Sequence, residues 1–154
     1  MHPPYVAVVG ASEPDDPALL DQAREAGRLL ATRGWVVVTG GLGGVMAAVA
    51  SGVAEEGGTA VAILPGEDRS AASPGHTVAL PTGMGEMRNA LVVRSADAVL
   101  AIGGSWGTLS EIALAARTGV PVFAVASWDL PGREVVTCAS VEEAVTRLAS
   151  VVPP

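Results

Sequence analysis

The stretch Ala98-Val99-Leu100-Ala101-Ile102-Gly103-Gly104-Ser105-Trp106-Gly107-Thr108-Leu109-Ser110-Glu111 decides the fold of this chain. Its apolar first part, residues 98–102, predicts a buried strand, and residues 109–118 have the spacing of a helix. The glycine-rich turn between them is typical of phosphate sites. Glycine lets the backbone approach a ligand closely, and free N–H groups at a helix start point at the anion. The stretch therefore predicts a strand–turn–helix unit that binds a phosphate group.

Short apolar runs alternate with helical patterns along the rest of the chain. Strands are predicted at 5–10, 35–39, 59–64, 76–80, 97–102, 120–126 and 135–137. Helices are predicted at 18–32, 43–56, 84–95, 109–118 and 141–151. This alternation of near-continuous apolar strands with helices predicts an α/β fold with a doubly wound, mainly parallel sheet flanked by helices. We expect one Rossmann-like domain over residues 1–154.

Composition limits the classes of partner and site. The 154 residues carry a net charge of −7, and all nine basic residues are arginine, which argues against a nucleic-acid or acidic-membrane surface. The single Cys138 excludes an internal disulfide, and His2 and His76 are too isolated for a metal site. We see no signal peptide and no apolar run of membrane-spanning length, so we expect a cytoplasmic protein.

Glycines and small polar residues follow several of the predicted strands, at the sheet edge where doubly wound folds bind their ligands. The residues predicted to bind phosphate or nucleotide there are Gly10, Ser12, Gly40, Gly41, Gly43, Gly44, Gly103, Gly104, Ser105, Trp106, Gly107 and Thr108. Without any lysine, the chain lacks the Gly-Lys-Ser/Thr of a P-loop ATPase.

Several of these residues have simpler roles open to them. Thr108 either binds the ligand through its hydroxyl or simply caps the helix, and Ser12 either binds the ligand or simply caps a turn. Trp106 either stacks on a heterocyclic base or packs at a subunit contact. Glu111 either acts on a ligand or stabilises the helix dipole from the first turn.

Three segments together resemble a known family. They are the turn at 103–111, the earlier turn at 40–46, and Arg88-Asn89 shortly after Thr82-Gly83-Met84. They are similar to the LOG-like family, often called lysine decarboxylases, with its motif Pro-Gly-Gly-x-Gly-Thr-x-x-Glu. Within it they look most like a compact subgroup related to molybdenum cofactor carrier proteins and, distantly, to the Rossmann-like domain of DNA-processing DprA proteins. The resemblance covers about residues 5–126.

The resemblance implies a phosphoribohydrolase, which cleaves the N-glycosidic bond of a nucleoside 5′-monophosphate and needs no cofactor. Arg88 and Glu111 would be its catalytic pair, and Asn89 would bind the nucleotide. Gly103, Ser105 and Ser110 depart from the motif and point away from cytokinin release. The alternative is a non-catalytic carrier that binds a nucleotide or a molybdopterin-type cofactor.

The resemblance also implies assembly, since members of the family dimerise through their helices. Residues 45–50 and 109–116 are apolar on more than one helix face, which is typical of a helix buried on several sides. We therefore predict a homodimer or a dimer of dimers. The small phosphorylated ligand would then bind close to the interface.

Overall fold

Seven strands form one sheet in which every neighbouring pair runs parallel. A computed structural model describes residues 2–154; Met1, the first residue of the expected domain, lies outside the described residues. The strands are β1 (Tyr5–Gly10), β2 (Val36–Thr39), β3 (Ala60–Leu64), β4 (Val78–Pro81), β5 (Ala98–Ile102), β6 (Val122–Val125) and β7 (Val135–Cys138). The helices are α1 (Ala18–Thr32), α2 (Val45–Glu55), α3 (Arg88–Arg94), α4 (Trp106–Thr118) and α5 (Val141–Leu148).

Alternate residues of the central strands enter two separate cores. Val6 and Val8 of β1 pack with α1, α2 and α5 on one face, whereas Ala7 and Val9 pack with α3 and α4 on the other. Both faces are covered, which explains why the strands are apolar throughout. The predicted doubly wound α/β fold is confirmed, and its sheet is parallel throughout.

The strand order β4-β3-β2-β1-β5-β6-β7 places the functional edge of the sheet. The chain builds outward from β1 in one direction, then returns and builds outward from β5 in the other. Gly10, the last residue of β1, lies beside Ile102, the last residue of β5. The connections leaving these two strands diverge to opposite faces, so a crevice opens between them, and doubly wound sheets bind ligands there.

Two helices begin three or more residues away from their predicted starts. α4 begins at Trp106 instead of 109, because the Ser105 side chain accepts a hydrogen bond from the Thr108 N–H and caps the helix. The predicted helix at 84–95 is split into a 3-10 turn, Gly85–Met87, and α3. Gly83 and Gly85 both have positive φ, which breaks a regular helix before Arg88.

The fourth strand is shifted toward the C-terminus of its predicted range, to Val78–Pro81. Its first predicted residue, His76, instead donates its N–H to the Ser73 carbonyl in a turn. The other elements match their predictions apart from a few residues at the ends. Among residues 2–154, no helix combines the length and the apolar character that crossing a membrane requires.

α1 and α2 pack unusually closely through two glycines. A Cβ on Gly27 of α1 would collide with the Val49 carbonyl oxygen of α2, and one on Gly52 would collide with the Arg24 carbonyl oxygen. This contact covers a second side of α2 within the same chain. The apolar character of residues 45–50, which predicts a second subunit, therefore has an intramolecular cause.

We expect Gly27→Ala to destabilise the fold by about 1–3 kcal/mol, because the added methyl group overpacks the α1–α2 contact. Helix propensity alone predicts the opposite sign, a gain of up to about 1 kcal/mol. Urea unfolding measures the difference. Gly66→Ala is the control, since its Cβ would meet nothing within 4 Å. A Gly27→Ala protein as stable as the wild type would contradict the close packing.

Candidate ligand-binding site

A cavity of about 440 Å³ lies at the carboxyl ends of β1 and β5. Eight of the predicted site residues line it: Gly10, Ser12, Arg88, Asn89, Ser105, Gly107, Thr108 and Glu111. These residues come from loops and helices far apart in the sequence, and the crevice in the sheet brings them together. The arrangement combines a helix N-terminus, one basic side chain and carboxylates around one space.

The N-terminus of α4 faces this cavity. Ser105 accepts the Thr108 N–H at 3.1 Å with its hydroxyl oxygen and the Leu109 N–H at 2.9 Å with its carbonyl oxygen. The two preceding N–H groups, those of Trp106 and Gly107, belong to the first turn, which has no intrahelical acceptors for them. Together with the helix dipole, they favour an anion at this end of the cavity.

The Thr108 hydroxyl already has a partner. It lies 2.8 Å from the Ser105 Oγ, and the residue is only 1% exposed. Ser105, rather than Thr108, is the helix cap. A direct bond from Thr108 to a ligand stays a prediction, and its visible role is to hold the Ser105 side chain in the capping position.

Arg88 is the one basic side chain in the described lining of this cavity. The residue is 8% exposed, and its Nη2 donates to the Gly40 carbonyl oxygen at 3.3 Å. Its Nε is buried and has no partner among the described residues. Burial lowers the pKa of the guanidinium, and the nearby carboxylates of Glu111 and Glu86 oppose that shift. The site thus holds a buried cation with an unused donor.

Gly40 is needed for Arg88 to lie where it does. A Cβ at residue 40 would come within 2.7 Å of the Arg88 Nη2. Gly40 was predicted to bind phosphate, but it lies beneath the guanidinium and does not line the cavity. Because residue 40 has no side chain, the Arg88 guanidinium can occupy its position in the cavity lining.

Glu111 is also buried, at 8% exposed, and it lines the same cavity as Arg88. Burial raises the pKa of its carboxyl to about 7, and the positive charge of Arg88 partly opposes that rise. Because α4 begins at Trp106, Glu111 does not belong to its first turn. The alternative role of a first-turn residue stabilising the helix dipole is therefore wrong.

Hydrogen bonds with residues outside the cavity hold the turn at 40–44 in place. The Gly41 N–H donates to the Thr39 hydroxyl, which lies 2.7 Å from the His76 Nε2, and the Ser73 N–H donates to the Gly41 carbonyl. The first N–H of α2, on Val45, is taken by the Ala11 carbonyl oxygen. The predicted site residues outside the described lining of this cavity are Gly40, Gly41, Gly43, Gly44, Gly103, Gly104 and Trp106.

A second cavity, of about 510 Å³, adjoins the first and shares Glu86, Asn89, Gly107 and Glu111 with it. Trp106 lines this second space, and its ring lies 5.1 Å from the ring of Trp128. The sequence-based prediction missed Glu86 as a site residue. Its only signal was its position in the Glu86-Met87-Arg88-Asn89 segment.

Buried polar atoms mark where a ligand would complete the site. The Asn89 Oδ1, like the Arg88 Nε, is buried without a hydrogen-bond partner among the described residues. Buried polar groups in folded proteins are nearly always paired. No group of three or more His, Cys, Asp or Glu residues with metal-binding geometry occurs within residues 2–154.

The chain is similar in sequence and in structure to several known proteins. The model of the SLOG cluster4 family matches residues 3–151. An uncharacterized protein of Archaeoglobus fulgidus is 41% identical over 114 residues, 74% of each chain. The molybdenum cofactor binding protein from the phototrophic bacterium Rippkaea orientalis is 34% identical, with a TM-score of 0.93 over 98% of each chain. The Moco carrier protein of Chlamydomonas reinhardtii is 30% identical, with a TM-score of 0.90 over 97% of this chain and 98% of that one.

A more distant likeness concerns the fold alone. DNA processing protein A from Helicobacter pylori is 19% identical, with a TM-score of 0.75 over 98% of this chain and 82% of that one. The predicted likeness to the molybdenum cofactor carrier proteins is confirmed. The narrower assignment to the LOG enzymes stays a prediction.

The raised pKa of Glu111 makes the stability of the fold depend on pH. Between pH 4.5 and about 7 the folded state keeps a proton on Glu111 that the unfolded chain loses. Wild-type stability therefore falls, relative to a variant without this carboxyl, as the pH rises through that range. One pKa unit corresponds to about 1.4 kcal/mol, so Glu111→Gln should gain about 2.5 kcal/mol on the wild type between about pH 5 and pH 8.

Urea unfolding at the two pH values measures this gain. Glu142→Gln, which removes an exposed carboxyl on α5, is the matched control and should show no such change. An equal difference between Glu111→Gln and the wild type at both pH values would mean that Glu111 titrates normally.

Proposed function

The chain belongs to the SLOG cluster4 family, and we propose that it binds a small phosphorylated cofactor of the molybdopterin type. The ligand would occupy the cavity between β1 and β5, with its anionic group between Arg88 and the start of α4. The observation that carries this proposal is the buried guanidinium of Arg88, whose Nε has no partner. Two similar solved structures, a molybdenum cofactor binding protein and a Moco carrier protein, support it.

The charges around the cavity, one basic side chain beside two carboxylates, fit a single phosphate group. Arg88 and the first N–H groups of α4 supply donors and positive potential there. A phosphate oxygen would complete the hydrogen bonds of the Arg88 Nε, which otherwise stays buried and unpaired at a free-energy cost. Glu86 and Glu111 line the same cavity, and their carboxylates favour a neutral heterocycle with N–H groups over a second anion.

A molybdopterin-type ligand has both of these parts, because it is a phosphorylated pterin. In a carrier the cofactor is cargo, so the chain's own residues only bind it and shield it from water. Arg88 and the α4 N-terminus would hold its phosphate, and Asn89 would meet its ring with an oxygen that now has no partner. The location of such a carrier in the cytoplasm stays a prediction.

A second candidate function is hydrolysis of a nucleoside 5′-monophosphate at its N-glycosidic bond. The observation that favours it is the pKa of Glu111, which burial raises to about 7, within the range of an acid–base catalyst at neutral pH. The ionised carboxylate would stabilise the positive charge that develops on the sugar as the bond to the base breaks. Arg88 would hold the phosphate and so position the sugar beside Glu111.

Assembly into a homodimer remains part of the proposal. Large apolar side chains stay exposed around α3 and the start of α4, with Met87 at 72% and Trp106 at 77% exposed. Both line the second cavity, so a partner subunit seated on them would close the site from outside. Sedimentation velocity gives the oligomeric state directly.

Arg88→Met should weaken the binding of ribose 5-phosphate by about 1.5–3 kcal/mol, the usual worth of hydrogen bonds to a charged group. The matched control is Arg94→Met, which removes an exposed arginine from the same helix and should bind as the wild type does. Isothermal titration calorimetry measures both affinities, and thermal unfolding confirms that both variants fold. Equal affinity in the two variants would remove Arg88 from the phosphate site.

Native mass spectrometry and a base-release assay separate the two candidate functions. A carrier purified without added ligand should retain a pterin-type mass and release no free base from a panel of nucleoside 5′-monophosphates. A hydrolase should release base, and Glu111→Gln should abolish that release while ribose 5-phosphate still binds. Base release that persists in Glu111→Gln would exclude the catalytic role of this residue.

A further inference from the structure

The second cavity has the shape and surface of a subsite for a flat ring. It adjoins the phosphate end of the site, and the two spaces share Glu86, Asn89, Gly107 and Glu111. At about 510 Å³ it is large enough for a bicyclic heterocycle. A single ligand could therefore have its phosphate in the first cavity and its ring in the second.

One side of this cavity is apolar and partly aromatic. Met87, Ala90, Trp106 and Leu114 line it. Trp106 is held from behind by Trp128, whose Nε1 donates to the Ser105 carbonyl oxygen at 3.1 Å. The exposed Trp106 ring is thus supported by an anchored second ring. Planar heterocycles stack on such a surface, and apolar side chains complete the contact.

The polar side chains that line this cavity are mostly hydrogen-bond acceptors. Glu86 and Glu111 accept through their carboxylates, and no basic residue lines the described wall of this cavity. The Ser110 hydroxyl gives its hydrogen to the Gly107 carbonyl at 2.7 Å, so toward the cavity it can only accept. The buried Asn89 Oδ1 is a further acceptor without a partner. A ring that forms hydrogen bonds with these side-chain acceptors must itself carry N–H donors.

We propose that this cavity selects a heterocycle with adjacent N–H and amino donors, the 2-amino-4-oxo edge that guanine and pterin share. An adenine edge is disfavoured, because it presents an acceptor ring nitrogen beside its amino group and would face acceptors with an acceptor. The inference rests on the proposed function, since the phosphate of the same molecule would occupy the first cavity. It adds which ring the site accepts.

Calorimetric titration with GMP, IMP and AMP at about pH 8, above the pKa of about 7 that burial gives the Glu111 carboxyl, tests the selection. We expect GMP to bind at least about tenfold more tightly than AMP. IMP should fall between them, because it keeps the ring N–H but lacks the 2-amino group. Neopterin monophosphate forms a separate arm, and tighter binding than GMP would identify the pterin as the better-fitting source of this edge.

Two variants link the selection to the acceptors. Glu86→Gln replaces an acceptor by a group that can also donate, and Ser110→Ala removes an acceptor, so each should reduce the ratio of GMP to AMP affinity. Glu142→Gln on α5 removes a carboxyl outside both cavities and should leave the ratio unchanged. An unchanged ratio in both Glu86→Gln and Ser110→Ala would overturn the assignment of the acceptors.

Ribose 5-phosphate separates this inference from the proposed function. If it binds while AMP binds as tightly as GMP and the pterin, the ring selection is wrong and the phosphate site stands. If neither ribose 5-phosphate nor any of the ring-bearing phosphates binds, both proposals fall. Binding of ribose 5-phosphate together with a preference for GMP or the pterin over AMP supports both.

Discussion

The parallel pairing of β1 with β5 is the constraint on which the rest of the molecule depends. It joins two halves of the sheet that grow in opposite directions, so Gly10 and Ile102 end side by side while the connections beyond them separate. A Cβ on Gly10 would lie 2.7 Å from the Ile102 carbonyl oxygen and would collide with Val45. The register of this pair and the absence of a side chain at residue 10 therefore keep the crevice open.

Much of this architecture could be predicted from the sequence, because strands buried on both faces must be apolar throughout. The run at 98–102 and the turn after it were sufficient to predict the strand, the helix and the side of the sheet where the cavity lies. The start of α4 could not be predicted, because only the structure shows that the Ser105 side chain accepts the Thr108 N–H and so caps the helix. The break before α3 depends on positive φ values, which composition alone does not reveal.

The sequence predicted residues of the site, but not which of them line the cavity and which support other residues from behind. Glycine at 40 and 41 predicts backbone close to a ligand. Instead, Gly40 leaves room for the Arg88 guanidinium. Gly41 is held by hydrogen bonds with Ser73 and with the Thr39 hydroxyl, which lies beside His76. A one-dimensional pattern cannot distinguish a glycine that faces a ligand from one that faces a side chain. Arg88 and Glu111, the pair that the resemblance names, line one cavity, and their catalytic roles stay predictions. Glu86 entered the site only through the fold.

The burial of Glu111 has a consequence for how the cavity fills and empties. Its carboxyl lines the same space as the proposed phosphate site, and its pKa of about 7 means that it exchanges a proton near neutrality. A dianion placed there favours the protonated carboxyl, since like charges repel. Under the proposed function, binding of the phosphorylated ligand would be coupled to proton uptake and its release to proton loss. The ligand would then be held more firmly in mildly acidic surroundings and given up more readily in alkaline ones.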